Sequence, residues 1–184
     1  MDANNPAGHY LYNYASIEAL LNGVKGFEDA ALLARLKEQC GIDTLRPKSH
    51  YPLDIMNRVL QILIETRFAN MSQPEAMVGL GRCMARGYAQ TLVGRIMAAP
   101  LKVILPERAV QQMVKMFNTG QSFGQRTLIT VATHHYIIEF RDDPGDPAFV
   151  EGVVRQFFED IKLAEARIQT RRVAQKAFDM EISW

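Results

Sequence analysis

The chain has 184 residues, 48% apolar and 22% charged, with a formal net charge of +1. That length suits one domain with a sizeable core, and the near-neutral charge excludes the basic surface of a nucleic-acid-binding domain. Cys40 and Cys83 match neither a zinc spacing nor a disulfide framework, and no apolar run reaches the ~18 residues of a membrane span.

The N-terminal MDANNPAGHYLYN has neither the basic nor the apolar region of a secretory signal, so a cytoplasmic protein with free thiols is expected. Residues 1–9 read as a flexible polar tail and 10–184 as one domain. Tyr10, Tyr12 and Tyr14 alternate as in a short strand. Ser16 offers an N-cap to the helix IEALLNGV, which stops at Gly23 or Gly26. A second helix runs from about Glu28 to Gln39, with Ala31, Leu32, Leu36 and Cys40 near one stripe and Gly41 ending it. After the loop GIDTLRPKSHYP, Pro52 opens a helix whose stripe is Ile55, Met56, Val59, Leu60, Leu63, Ile64 and Phe68.

Ser72, Pro74 and Glu75 form a capping box that opens the longest helical segment, Ser72 to Ala98. Gly79, Gly81, Gly87 and Gly94 lie inside it, each costing about 1 kcal/mol relative to alanine. Such glycines are tolerated where a packed element or a ligand comes close to the backbone. Gly79, Cys83 and Gly87 fall at i, i+4 and i+8, a strip of small residues suited to close packing or to a partner. Tyr88, Thr91 and Arg95 fall at i, i+3 and i+7, a polar–aromatic stripe suited to a pocket wall.

Pro100 stops that helix, and LKVIL reads as a linker or a buried extended piece. Pro106 starts a helix to Asn118 with the stripe Val110, Met113, Val114 and Phe117; Gly120 closes it. From Thr127 the period becomes two. Leu128, Thr130, Ala132, His134, Tyr136, Ile138 and Phe140 share one face of a long strand. Asp146 and Pro147 begin a further helix, and two strands finish the chain, Phe178, Met180, Ile182 and Trp184 facing one way. The expected fold is α+β: a helical lobe packed on a C-terminal antiparallel sheet.

Catalytic signatures are missing. His134 and His135 are expected to be neighbours on one strand, pointing to opposite faces, so they cannot chelate one ion together. One of them is expected to line the inner face beside Tyr136; His50 lies in a loop. No Gly-x-Ser-x-Gly elbow is present, and GLGRCMARG lies in a helix pattern rather than a strand-to-helix turn, which excludes a dinucleotide fingerprint. Arg155, Lys162, Arg167, Arg171, Arg172 and Lys176 make the C-terminal third locally basic. Balanced by Glu159, Asp160 and Glu165, they read as a solvated face, with an anionic ligand or acidic partner as the alternative.

HYP before the first long helix, LGRCMARGYAQTLVGR, MFNTGQSFGQR and the terminal SW occur in this order over Tyr12 to Trp184. In that succession the chain resembles a family of paralogous proteins of unknown function abundant in myxobacteria. That family is similar in fold to the haem nitric-oxide/oxygen-binding domain, to the vinyl-reductase-type effector-binding domain and to TRAPP tethering subunits of the Bet type. The resemblance implies a helical lobe over an antiparallel sheet, with haem, an aromatic effector or an acyl chain held between them in relatives. The haem-binding relatives carry a histidine on the helix before the sheet and a Tyr-x-Ser-x-Arg motif. Here Pro106 to Asn118 has no histidine, and Tyr88 leads to Arg95 at too long a spacing. No haem, no other cofactor and no metal are therefore expected.

The expectation is a non-enzymatic ligand-binding or sensory domain that takes an apolar or aromatic small molecule between the glycine-bearing helix and the sheet. Tyr88, Thr91, Arg95, Met113, Phe117, His134 and Tyr136 are its candidate lining. The alternative is a protein-interaction module that forms a homodimer through the small-residue strip.

Overall fold

A computed structural model describes residues 10–98 and 105–184. The expected tail 1–9, the Pro100 stop and most of LKVIL lie outside the described residues. Strand β1 (Leu11–Asn13) pairs antiparallel with β2 (His50–Pro52), so HYP is a short strand rather than loop. Asn13, not Ser16, caps helix α1 (Tyr14–Gly23): its side-chain oxygen accepts from the Ser16 N–H at 3.1 Å. After a 3₁₀ turn at Gly26–Glu28, Asp29 caps α2 (Ala30–Cys40), which ends at Gly41 with φ 64°. Pro52 is the cap residue of α3 (Leu53–Arg67). Ile17, Leu20, Leu36, Met56, Val59, Leu63 and Leu80 are fully or almost fully buried in a first core.

The segment Ser72–Ala98 is two helices, not one: α4 (Gln73–Tyr88) and α5 (Leu92–Ala98). Thr91 makes the break. Its hydroxyl donates to the Tyr88 carbonyl at 2.9 Å and accepts from the Gly94 N–H at 2.9 Å, closing one helix and starting the next. The capping box at Ser72 and Glu75 opens α4 as expected.

The second core lies on the sheet. Helix α6 (Pro106–Gly120) precedes β3 (Gln125–Ala132) and β4 (His135–Arg141); α7 (Pro147–Asp160) precedes β5 (Arg167–Ala174) and β6 (Ala177–Ser183). The antiparallel order is β3-β4-β6-β5. The long strand expected from Thr127 to Phe140 is thus a hairpin. It turns at Thr133 and His134, and His134 takes φ 58°. His134 and His135 are therefore not neighbours on one strand. The alternation looked continuous because Leu128 pairs with Ile138 and Thr130 with Tyr136, so the fold-back keeps even-numbered residues on one face. Ile138, Phe140, Phe178, Met180 and Ile182 bury that face together with Val110, Val154 and Phe158. The opposite face carries ion pairs such as Arg141–Asp179 at 2.7 Å. The basic cluster is largely solvated: Arg155 pairs with Glu151 at 2.9 Å, and Arg171 reaches Asp179 at 3.5 Å.

Two joints connect the cores. At the first, a methyl group on Gly81 of α4 would sit 2.0 Å from the Phe149 carbonyl oxygen, and one on Gly152 of α7 would sit 2.1 Å from that of Val78. On another side of α4, a methyl on Gly87 would meet the Ala19 carbonyl at 1.8 Å, and one on Gly23 of α1 would meet that of Cys83 at 1.9 Å. Helix α4 is wedged backbone to backbone between α1 and α7. The strip Gly79–Cys83–Gly87 thus packs within the chain, with Gly79 lying under the Phe68 ring.

The second joint is polar. The Ser122 N–H donates to the Leu11 carbonyl at 2.9 Å, and the rings of Tyr10 and Tyr12 meet Phe123 edge-on at 5.1 and 5.2 Å. Beneath them Arg126 and Asp143 form a buried ion pair, and Asp143 also accepts from the Gly145 N–H at 2.9 Å. Burial, then the Asp143 charge, push the Tyr12 hydroxyl well above the usual tyrosine range.

Replacing Gly81 or Gly87 by alanine is expected to cost about 2–3 kcal/mol each, because rigid backbone must move. Urea unfolding checks this; losses under ~0.5 kcal/mol would contradict the wedge. Asp143→Ala, which strands the buried Arg126 charge, is expected to cost about 3–5 kcal/mol in the same assay, and an unchanged midpoint would show the pair to be dispensable.

Candidate functional site

Three helices end around one cavity. The last turn of α4 supplies Met84, Ala85 and Tyr88, with Ala89 just beyond: one face at i, i+1, i+4 and i+5. Helix α6 supplies Met113, Met116 and Phe117, with Gln121 just past its end. Helix α7 supplies Val153, Phe157 and Asp160 at i, i+4 and i+7, and α1 adds Ser16. The space measures about 140 Å³. It exists because Ala85 and Ala89 present only methyl groups opposite the longer side chains of α6.

The walls are held from behind. Phe117 lies edge-on to Phe140 of the sheet at 5.7 Å, and Phe157 meets Phe158 at 5.7 Å. Three methionines line the space, and thioether side chains adapt to a guest at low cost. The polar groups divide by commitment. Ser16 donates its hydroxyl to the capping Asn13 at 3.1 Å, and the Gln121 amide lies against the Arg126–Asp143 pair. Asp160, exposed at the rim, accepts from Gln156 Nε2 at 2.9 Å. The Tyr88 hydroxyl is half-buried, and burial alone raises its pKa.

Tyr88, Met113 and Phe117 of the seven residues expected from sequence line this cavity; the other four do not. Thr91 is buried as the cap between α4 and α5, and Arg95 is exposed on α5. His134 and Tyr136 stack on Trp184 at 5.3 and 5.4 Å at one end of the sheet, where His134 also meets Glu107 at 3.0 Å. The cavity is walled by helices of both cores, with no sheet residue among its lining, rather than by helix and sheet. Met84 was legible as the i−4 neighbour of Tyr88. Met116, Val153 and Phe157 continued apolar stripes that the sequence also shows. Ser16 and Asp160 had no local signal, because only the crossing of α1 and α7 with α4 brings them here.

Among the described residues no group of three or more His, Cys, Asp or Glu could hold a metal ion. Among them too, no helix is long and apolar enough to cross a membrane.

Comparison with solved structures returns H-NOX proteins over nearly the whole chain. The unliganded Fe(II) H-NOX protein from K. algicida has a TM-score of 0.60 at 12% identity, covering 94% of this chain and 95% of its own. The H-NOX protein from S. oneidensis in the Fe(II)NO state has a TM-score of 0.59 at 11% identity, covering 93% and 98%. An oxygen-binding H-NOX domain related to soluble guanylate cyclases has a TM-score of 0.57 at 11% identity and covers 90% of each chain. At such identities the likeness is one of fold. Comparison with curated proteins finds no match. The family profile described as "Protein of unknown function (DUF2378)" matches residues 12–184, nearly the full length over which the strands, the wedge and the cavity walls lie, and the chain belongs to that family.

Proposed function

We propose that the chain is a cytoplasmic, non-enzymatic sensory domain that binds an apolar or aromatic small molecule, without haem, in the cavity between its two cores. The observation that carries this reading is the position of the space. Its walls come from α1 and α4 on one side and from α6 and α7 on the other. A guest there touches both cores at once, so it stabilises one packing of the lobes over others. The size is informative too. An apolar cavity of about 150 Å³ accommodates a benzene-sized guest, whereas drug-sized ligands need roughly 300–1,000 Å³.

Haem is the group that the fold of the H-NOX proteins brings to mind, and the residues present do not fit it. Among the described residues the lining has no histidine and no lysine or arginine to meet two propionates. Met and Tyr side chains are ligand types in principle, but a space of about 140 Å³ is far too small for the macrocycle. Of the described histidines, His50 is exposed, His134 meets Glu107 and His135 meets Glu181, none of them at the cavity.

A second reading, an interaction or dimerisation module, draws on a different observation. Leu92, Val93 and Ile96 of α5, and Leu105 before α6, are 50–69% exposed. Exposed apolar side chains on one short helix favour a protein partner.

For the first reading, near-saturating toluene is expected to raise the unfolding temperature by about 2–4 °C, and Ala85→Phe, which fills the space, is expected to abolish the shift. No shift in the wild type, or an equal shift in the filled variant, would sink it. For the second, sedimentation of the wild type is expected to show a dimer that Leu92→Glu with Ile96→Glu converts to monomer. A monomer at ~100 μM would remove that reading.

A further inference from the structure

The cavity lies where helix ends of one polarity meet. Its lining comes from the last turn of α4, of 16 residues, from Val153 onward in α7, of 14 residues, and from the C-terminal half of α6, of 15 residues. Each C-terminus carries a partial negative charge of about half an electron. The N-terminus of α1 also lies at the cavity, where the Asn13 side chain accepts from the Ser16 N–H, and the short α5 begins beyond Ala89, where the Thr91 hydroxyl accepts from the Gly94 N–H. Asp160 adds a full negative charge at the rim, on the final residue of α7. Among the described residues no basic side chain lines the space. Among nearby cations, Arg82 is held by Glu159 at 2.6 Å, and Lys115 and Lys162 are exposed outside the lining. The fold thus surrounds an apolar, aromatic and methionine-rich space with electronegative ends.

From this we infer that the cavity selects a one-ring aromatic amine: its ring among Met84, Met113, Phe117 and Phe157, its protonated amine at the Asp160 rim. This rests on the cavity being a ligand site, and it adds the sign of the ligand's charge and the size of its ring system. Carboxylates of the same size are disfavoured twice, by the helix ends and by Asp160. Acyl chains and porphyrins are excluded by volume as well. Ring burial supplies most of the affinity, since the rim carboxylate is exposed and screened by salt. The charge supplies the discrimination.

The test uses protein carrying ¹³C-labelled methionine methyl groups, titrated with phenethylamine, 2-phenylethanol and phenylacetate at low salt. The expected result is movement of the Met84, Met113 and Met116 methyl signals, with the amine binding about tenfold or more tighter than the acid and the alcohol between them. Asp160→Asn, at an exposed position where an amide oxygen still accepts from Gln156, is expected to bring amine and acid at least threefold closer while the alcohol is unaffected. If the cavity methyls move but phenylacetate binds as tightly as the amine, the selectivity is wrong and the cavity reading stands. If no probe moves those three methyls, the cavity reading falls with it.

Discussion

The contact on which the rest of this molecule depends is the seating of α4 between two other helix backbones. Gly87 and Gly23 let α4 and α1 cross with carbonyl oxygens where side chains would normally stand, and Gly81 and Gly152 do the same for α4 and α7. Glycine in a helix interior costs about 1 kcal/mol of propensity each, so these positions are justified by tertiary packing. Once α4 is seated, the place of its C-terminus is fixed. Met84, Ala85 and Tyr88 can then only face α6 and the end of α7.

The two hydrophobic cores meet along this wedge and along the polar joint of Tyr12, Phe123, Arg126 and Asp143. A buried ion pair adds little net stability but is costly to break, so it favours one arrangement of the hairpin against β1 rather than a looser set. Between these two joints the packing is incomplete, and the cavity is what remains. A space at a seam differs from one inside a single core. Filling it acts on how two units sit together, and that is the physical requirement for a sensor whose output is a change in packing. The proposed role therefore depends on the seam more than on any single residue in it.

Much of the architecture was legible locally. The stripes of α3 and α6, the Ser72–Glu75 box, the Gly41 stop, the Asp146–Pro147 start and the alternation through Phe178, Met180 and Ile182 each carry their own signal. Two breaks were hidden for definite reasons. Thr91 ends α4 by side-chain hydrogen bonds, with no proline at the junction, and the helical period runs on through it. The Thr133–His134 turn pairs Ala132 with His135, but the bulge between Thr130 and Ala132 restores even pairing beyond it, so the strand pattern continues across the turn. The first of these misplaced the pocket wall: Tyr88 faces the cavity, but Thr91 and Arg95 belong to the next element. Tyr88, Met113 and Phe117 could be found from their own helices. Asp160 and Ser16 join them only through helix crossings, which sequence periodicity does not encode.

The central claim is that the seam holds a real and fillable space. Crystals of the protein placed under xenon pressure test it directly. Xenon density between Met84, Met113, Phe117 and Phe157, with little movement of α4 or α7, is the expected result. A seam closed by those side chains, or filled with ordered water that xenon does not displace, would contradict it.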